Sequence, residues 1–164
     1  MTKQRYLKVK NWFLQHKAAL KALQWLNALV PAVVYAGYIL MVLFLVFLQD
    51  SRVIRVLAVP AFVFLAGTVL RRIINAPRPY QVYQTPPLTP KNKQGESFPS
   101  RHLFSASVIA VCGFYLCPPL GWLLTACTLI LAPVRVLAGV HFIKDVTVGA
   151  AAGALVGWIG FFLL

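Results

Sequence analysis

The sequence predicts an all-α fold: a polytopic membrane helix bundle of about five spans, with an amphipathic surface helix at its N-terminus. Three observations predict it. Hydrophobic residues fill 60% of the 164 positions and the mean hydropathy is +0.75, whereas soluble domains are about 45–50% apolar. The apolar residues gather in long uncharged runs, several near the ~20 residues a bilayer crossing needs. The polar residues gather between those runs, punctuated by proline and glycine.

Residues 1–27 mix two kinds of side chain. Lys3, Arg5, Lys8, Lys10, Lys17 and Lys21 alternate at roughly helical spacing with Leu7, Trp12, Phe13, Leu20, Leu23 and Trp25. This pattern predicts a helix lying on the membrane surface with its basic side toward the headgroups. A loosely ordered basic arm is the alternative. The membrane-embedded bundle is then residues 28–164. Its first run, 28–48, has no charge, and the polar turn Asp50-Ser51-Arg52 follows it. The second run is 53–70. Residues 71–102 form the one extended polar segment, and seven-fold interruption by Pro77, Pro79, Pro86, Pro87, Pro90, Gly95 and Pro99 makes it a loop. Residues 103–134 are uncharged but broken by Pro118-Pro119-Leu120-Gly121, which predicts a helical hairpin. The last run, 146–164, is long enough to cross at ~1.5 Å per residue. Within it, Gly149, Gly153 and Gly157 recur every fourth residue, a face that lets membrane helices approach closely, either inside the bundle or in a dimer.

The charge balance narrows the partners. Sixteen Lys and Arg face only Asp50, Glu96 and Asp145, for a net charge of +13. In so apolar a chain this points to membrane lipids or an anionic substrate, and no stacking or base-reading signature points to nucleic acid. Cys112, Cys117 and Cys127 lie in or beside apolar runs without a Cys-x-x-Cys pair, so they read as small hydrophobes. The basic start, interrupted by Lys17 and Lys21, does not read as a cleaved signal peptide.

Counting spans gathers the polar chemistry on one face. Segments 71–102 and 135–145 are separated by two crossings and so share a side, and the N-terminal helix lies there too. Three clusters sit on that side. His141 and Asp145 are four apart, where a carboxylate can orient an imidazole and raise its basicity; the alternative is that Asp145 pairs with Lys144 or caps a helix. Pro99-Ser100-Arg101-His102 precedes an apolar helix, whose N-terminal N–H groups, with the Ser100 hydroxyl and His102, would cradle an oxyanion and donate a proton; the alternative is a serine cap with an interfacial histidine. Arg71 and Arg78 flank the start of the loop and offer bidentate donors to phosphate; the alternative is ordinary positive charge at a span end. Together, arginines for an anion, one histidine to attack and one to protonate describe phosphoryl transfer through a phosphohistidine. Three carboxylates in the whole chain argue against a two-metal site, so no metal or other cofactor is expected.

At these residues the sequence resembles the type-2 phosphatidic acid phosphatase superfamily. The three motifs read Arg71-x6-Arg78-Pro79, Pro99-Ser100-Arg101-His102 and Val134-Arg135-x5-His141-x3-Asp145, with Gly139 also fitting. The resemblance implies that His141 attacks phosphorus, Asp145 orients it, and His102 protonates the leaving alcohol. It implies that Arg71, Arg78 and Arg135 hold the phosphate oxygens with Ser100 and the backbone N–H of Arg101, and that no metal takes part. Three positions depart from the family pattern: Arg71 stands for the usual Lys, Arg101 for Gly, and Val134 for Ser. The Val134 departure removes a hydroxyl near the anion, for which Arg101 is the candidate replacement; such a donor is worth ~2–4 kcal/mol in a transition state.

The expected function is therefore an integral membrane phosphatase acting on a lipid phosphate or isoprenyl diphosphate, with the plasma membrane as its location. A lipid phosphotransferase and a non-catalytic protein that binds anionic lipid are the alternatives. Six basic residues before the first span put the N-terminus, and with it the site, in the cytoplasm by the positive-inside rule. The resemblance implies the outer face instead, and the sequence leaves the side open, as it does the oligomeric state.

Overall fold

The computed structural model describes residues 2–164, and among them it is helical and without strands. The helices are α1 (Lys3–Gln15), α2 (Lys17–Phe47), α3 (Arg52–Ile74), the short α4 (Pro79–Val82), α5 (Arg101–Leu116), α6 (Pro118–Leu137) and α7 (Ile143–Trp158), which runs into a π-helical turn, Ile159–Leu163. Four stretches are long and apolar enough to cross a membrane: those of α2, α3, α6 and α7. Helix α5, the first arm of the hairpin, is shorter, about 24 Å at 1.5 Å per residue.

Helix α5 is the axis of the bundle. It packs against α2, α3, α6 and α7, and Leu103, Ala106, Val108, Ile109 and Cys112 on it are buried almost completely. Around it Val34, Leu45, Val56, Val63, Leu124 and Leu131 complete one continuous core. The outer faces of α2 and α3 leave Leu40, Phe44, Phe47, Ile54, Phe62 and Leu65 bare, as a lipid-facing surface requires. This is an integral membrane protein.

The glycine stripe of α7 packs inside the bundle. A Cβ at Gly149 would lie 2.8 Å from the Ser100 carbonyl oxygen, one at Gly153 would lie 2.2 Å from that of Phe104, and one at Gly157 would lie 3.1 Å from Val108. Helix α7 therefore rests on the backbone of α5. Paired Pro118 and Pro119 open α6, where a missing N–H costs nothing.

The N-terminal region differs from a single surface helix over 1–27. Helix α1 ends at Gln15, His16 is non-helical, and α2 is already under way at Lys17. The break lets α1 fold back over the polar end of the bundle. Its Tyr6 and Phe13 are buried, Phe13 against Val134, Ala138 and Val140, while Lys3, Arg5, Lys8, Trp12 and Leu14 face outward. At the other end Asp50 is bound by Arg52, whose Nε and Nη2 donate to it at 2.9 and 2.6 Å, and Arg55 donates to the carbonyls of Phe161 and Leu164.

Candidate active site

Helix ends and one loop converge on a single cavity at the α1 side. Arg71 comes from the last turn of α3, Arg78 precedes α4, Arg101 and His102 open α5, Arg135 closes α6, and His141 stands just before α7. These six line the cavity together with Lys91 and Lys93 of the loop. The empty space among them is about 260 Å³, including the open mouth. Ser100 and Asp145 lie behind the lining, both fully buried.

Ser100 joins the two histidine segments. Its backbone N–H donates to the Asp145 carbonyl oxygen at 2.8 Å, and its own carbonyl accepts the Phe104 N–H. It stands at the N-cap of α5, yet its hydroxyl makes no capping bond and has no partner among the described residues. A buried free hydroxyl costs roughly 1–3 kcal/mol unless something accepts it.

His141 is 2% exposed and its Nδ1 faces Asp145 Oδ2 at 3.7 Å. That is ion-pair range but longer than a hydrogen bond. Asp145 is already engaged: Oδ2 accepts the Ser97 hydroxyl at 2.5 Å and the Phe142 N–H at 2.9 Å. So Asp145 both caps α7 and faces the imidazole, and the two readings of it coexist. Its Oδ1 and the Nδ1 of His141 have no hydrogen-bond partner among the described residues. Burial pushes the His141 imidazole down to about 4; Asp145 opposes this, while Arg135 and Arg78 add to it. The ring is therefore neutral near pH 7, with a lone pair to give.

His102 is held from the other side. Arg135 Nη2 lies 3.1 Å from its Nδ1, and Arg135 Nη1 donates to Asn27 Oδ1 at 2.6 Å, while Nε is buried without a partner. Arg71 and Arg78 spend much of their donor capacity on the loop. Arg71 donates to the carbonyls of Pro99, at 2.6 Å, and Glu96. Arg78 donates to those of Gly95, Val140 and Glu96, at 2.9, 3.1 and 3.1 Å. The loop thus folds onto the cations that line the cavity. Arg101 lies over the Phe64 ring, 5.6 Å from its centroid, at the boundary with an apolar cleft.

That cleft lies between α2, α3 and α5, lined by Tyr35, Tyr38, Leu57, Phe64, Ser105 and Ile109 among others. It holds about 710 Å³ including its open side. It adjoins the cavity at Phe64 and Arg101.

Several residues around the cavity carry no signal in sequence spacing. Ser97, Asn27, Lys91 and Lys93 reach it through the irregular loop or from α2. Tyr6 of α1 is another. Its hydroxyl would lie 2.5 Å from a Cβ at Gly139, where φ is +77°, and its ring packs at a tilt of 40° against Tyr83, centroids 5.1 Å apart, which in turn meets Phe142 edge-on at 6.0 Å. Tyr80 donates from its hydroxyl to the Lys93 carbonyl, so both loop tyrosines brace the loop. Among the described residues no cluster of His, Cys, Asp and Glu could hold a metal ion.

Comparison with known proteins gives the arrangement a lineage. No curated protein matches the chain. Two solved structures share the fold. One is the first transmembrane PAP2 type phosphatidylglycerolphosphate phosphatase from Bacillus subtilis, with a TM-score of 0.63 and 21% identity over 96% of this chain and 90% of that one. The other is LpxE of Aquifex aeolicus, with a TM-score of 0.62 and 23% identity over 86% of this chain and 93% of that one. The profile of the PAP2 superfamily matches residues 52–163, a stretch that runs from the start of α3 to the end of the last helix and holds every motif residue around the cavity. On that match the chain belongs to the PAP2 superfamily.

Proposed function

We propose that the protein is an integral membrane phosphatase that hydrolyses a lipid phosphate or isoprenyl diphosphate through a phosphohistidine, without a metal. One observation carries the reading: two imidazoles and a ring of guanidinium groups line one cavity, and that cavity adjoins an apolar cleft between membrane helices. A substrate with an anionic head and an apolar tail fits both at once. Its phosphate lies among Arg71, Arg78 and Arg135, with the Ser100 hydroxyl and the Arg101 backbone N–H as further donors. The neutral His141 attacks phosphorus through Nε2 while its proton stays on Nδ1, and the Asp145 carboxylate facing Nδ1 stabilises the ring as it becomes cationic. The bond from phosphorus to the ester oxygen breaks, and His102 gives that oxygen its proton. Water then attacks the phosphohistidine, His102 accepts a proton from it, and the P–N bond breaks to release phosphate.

Membership of the PAP2 superfamily supports this reading, and so does the fold shared with a phosphatidylglycerolphosphate phosphatase. The test is phosphate release from a panel of lipid phosphates and diphosphates, with EDTA present, by the wild type, His141→Ala and His102→Ala. The wild type is expected to release phosphate and His141→Ala to lose that activity by at least ~10⁴-fold, as when a nucleophile is deleted. Loss of activity in EDTA, or an active His141→Ala, would overturn the proposal.

A further inference from the structure

Four arginines line the cavity, and three of them are tied down. Arg71 donates to the carbonyls of Pro99 and Glu96, Arg78 to those of Gly95, Val140 and Glu96, and Arg135 to Asn27 Oδ1 and His102 Nδ1. Arg101 is different. Among the described residues its guanidinium has no hydrogen bond and no ion pair; it rests over the Phe64 ring, 5.6 Å from the centroid. Phe64 is 42% exposed and lines the apolar cleft. It precedes Arg71 on α3 by seven residues, two turns or about 10 Å toward the middle of the bilayer. The resting guanidinium therefore stands where the cleft and the cavity meet.

The strengths of two kinds of contact decide what an anion does to this arrangement. A cation–π contact at an exposed ring is worth about two- to fivefold in an equilibrium, and a hydrogen bond between charged groups about ten- to a hundredfold. Guanidinium binds phosphate through two such bonds at once. To turn toward an anion, Arg71, Arg78 or Arg135 must break hydrogen bonds, whereas Arg101 gives up only the ring. We propose that the side chain of Arg101 is a mobile phosphate clamp, parked on Phe64 while the cavity is empty and drawn onto the phosphoryl oxygens of the substrate when the cavity fills. This rests on the phosphatase reading above and adds a side-chain role to the Arg101 backbone N–H. The clamp already lines the cavity it would close on, and it is the first donor met by an anionic head that enters from the cleft. The other three arginines keep their hold on the loop. Gly is the usual residue at this position in the family pattern, so the clamp and its ring belong to this chain.

The experiment is a double-mutant cycle on the affinity for orthophosphate, followed by ³¹P NMR with the full chain in detergent micelles. Arg101→Gln is expected to weaken binding about tenfold or more, the effect of a lost charge-assisted hydrogen bond. Phe64→Leu keeps the exposed position apolar but removes the contact that competes with phosphate for the guanidinium. It is therefore expected to tighten binding about two- to fivefold, and to have no effect when Arg101→Gln is already present. Phe64→Tyr keeps the ring and should restore the wild-type affinity. A ring with a merely structural role would give the opposite sign, since its loss would loosen the site. Binding that is unmoved by Arg101→Gln, or unmoved or weakened by Phe64→Leu, or tightened equally by Phe64→Leu in both backgrounds, overturns the clamp and leaves the phosphatase intact. Phosphate release from dioctanoyl phosphatidic acid by the same wild-type sample tests the phosphatase separately: no release, with the cycle as expected, overturns that reading and keeps the clamp.

Discussion

Arg135 Nη2 lies 3.1 Å from His102 Nδ1, and chemistry fixes the direction of that contact. A guanidinium has donors only, so Nδ1 accepts and the proton of the neutral ring sits on Nε2. The same guanidinium is fixed at its other end by Asn27. His102 is thereby held as a neutral ring, its pKa pushed well down by burial and by the Arg135 charge. The acid role proposed for it requires a bound anionic phosphate to draw the Arg135 donor away and a second proton onto the ring. The two histidines are separated by their neighbours, an arginine behind one and a carboxylate behind the other.

His102→Ala should lower kcat on alkyl phosphates by ~10²–10⁴-fold, the usual reach of general acid catalysis. A p-nitrophenyl ester needs no proton on its leaving group, so most of that loss should vanish with it. Steady-state rates on the two esters check this, and an equal loss on both would remove His102 from the acid role.

Asp145 depends on Ser97. Its carboxylate is wholly buried, and Ser97 and the Phe142 N–H supply its only hydrogen bonds among the described residues. Ser97→Ala should lower stability by about 1–3 kcal/mol, because a buried charge loses one of two donors. Thermal unfolding in detergent measures it. Ser97→Thr, which keeps the hydroxyl, should fall between the two.

Gly139 and Tyr6 should behave as a pair. Gly139→Ala brings a Cβ to 2.5 Å from the tyrosine hydroxyl at a φ of +77°, so about 1–3 kcal/mol of overpacking is added to left-handed strain. Activity should fall, since the displaced segment carries His141. Adding Tyr6→Phe to Gly139→Ala should recover part of the loss, whereas Tyr6→Phe alone should stay near wild type. Phosphate release and unfolding temperature across this double-mutant cycle check the coupling; strict additivity would contradict it.

The His141 ring should remain neutral well below the ordinary histidine pKa of about 6.5. Because the folded value is pushed down to about 4, the unfolded chain binds the extra proton in between. The contribution of this group to stability is therefore complete above about pH 6.5 and is lost as pH falls from there to about 4, by up to about 1.4 kcal/mol per pH unit. Imidazole ¹⁵N spectra of the His16→Gln chain, which leaves His102 and His141, would follow the ring. Protonation of His141 near pH 6.5 in the free protein would contradict the burial seen here.

The resemblance of the three motifs named Arg71, Arg78, His102, Arg135 and His141, and all of these but Arg78, which lies inside the loop, stand near the ends of apolar runs. Counting those runs also put the ends on one face, and the structure brings these five side chains to one cavity. The loop residues were not legible. The path from Asn75 to Ser100 is set by guanidinium donors reaching the carbonyls of Gly95, Glu96 and Pro99, contacts with no periodicity. Lys91 and Ser97 ride on that path and so could not be placed. Tyr6 was hidden for a related reason: the break at His16 has no proline or glycine to announce it, and without it α1 reads as the start of a helix lying flat on lipid.

Helix α7 touches the main chain of α5 at Gly149 and Gly153, one turn and two turns beyond Asp145. The gap between the two imidazoles is therefore gauged by backbone lying on backbone, with no long side chain in the path that could bend. A bilayer that thins or is stretched can tilt the peripheral helices α2 and α3 and reshape the cleft for the tail, while the distance over which phosphorus is handed from oxygen to nitrogen stays constant. Turnover per bound substrate should then be indifferent to lipid chain length, and affinity alone should follow it.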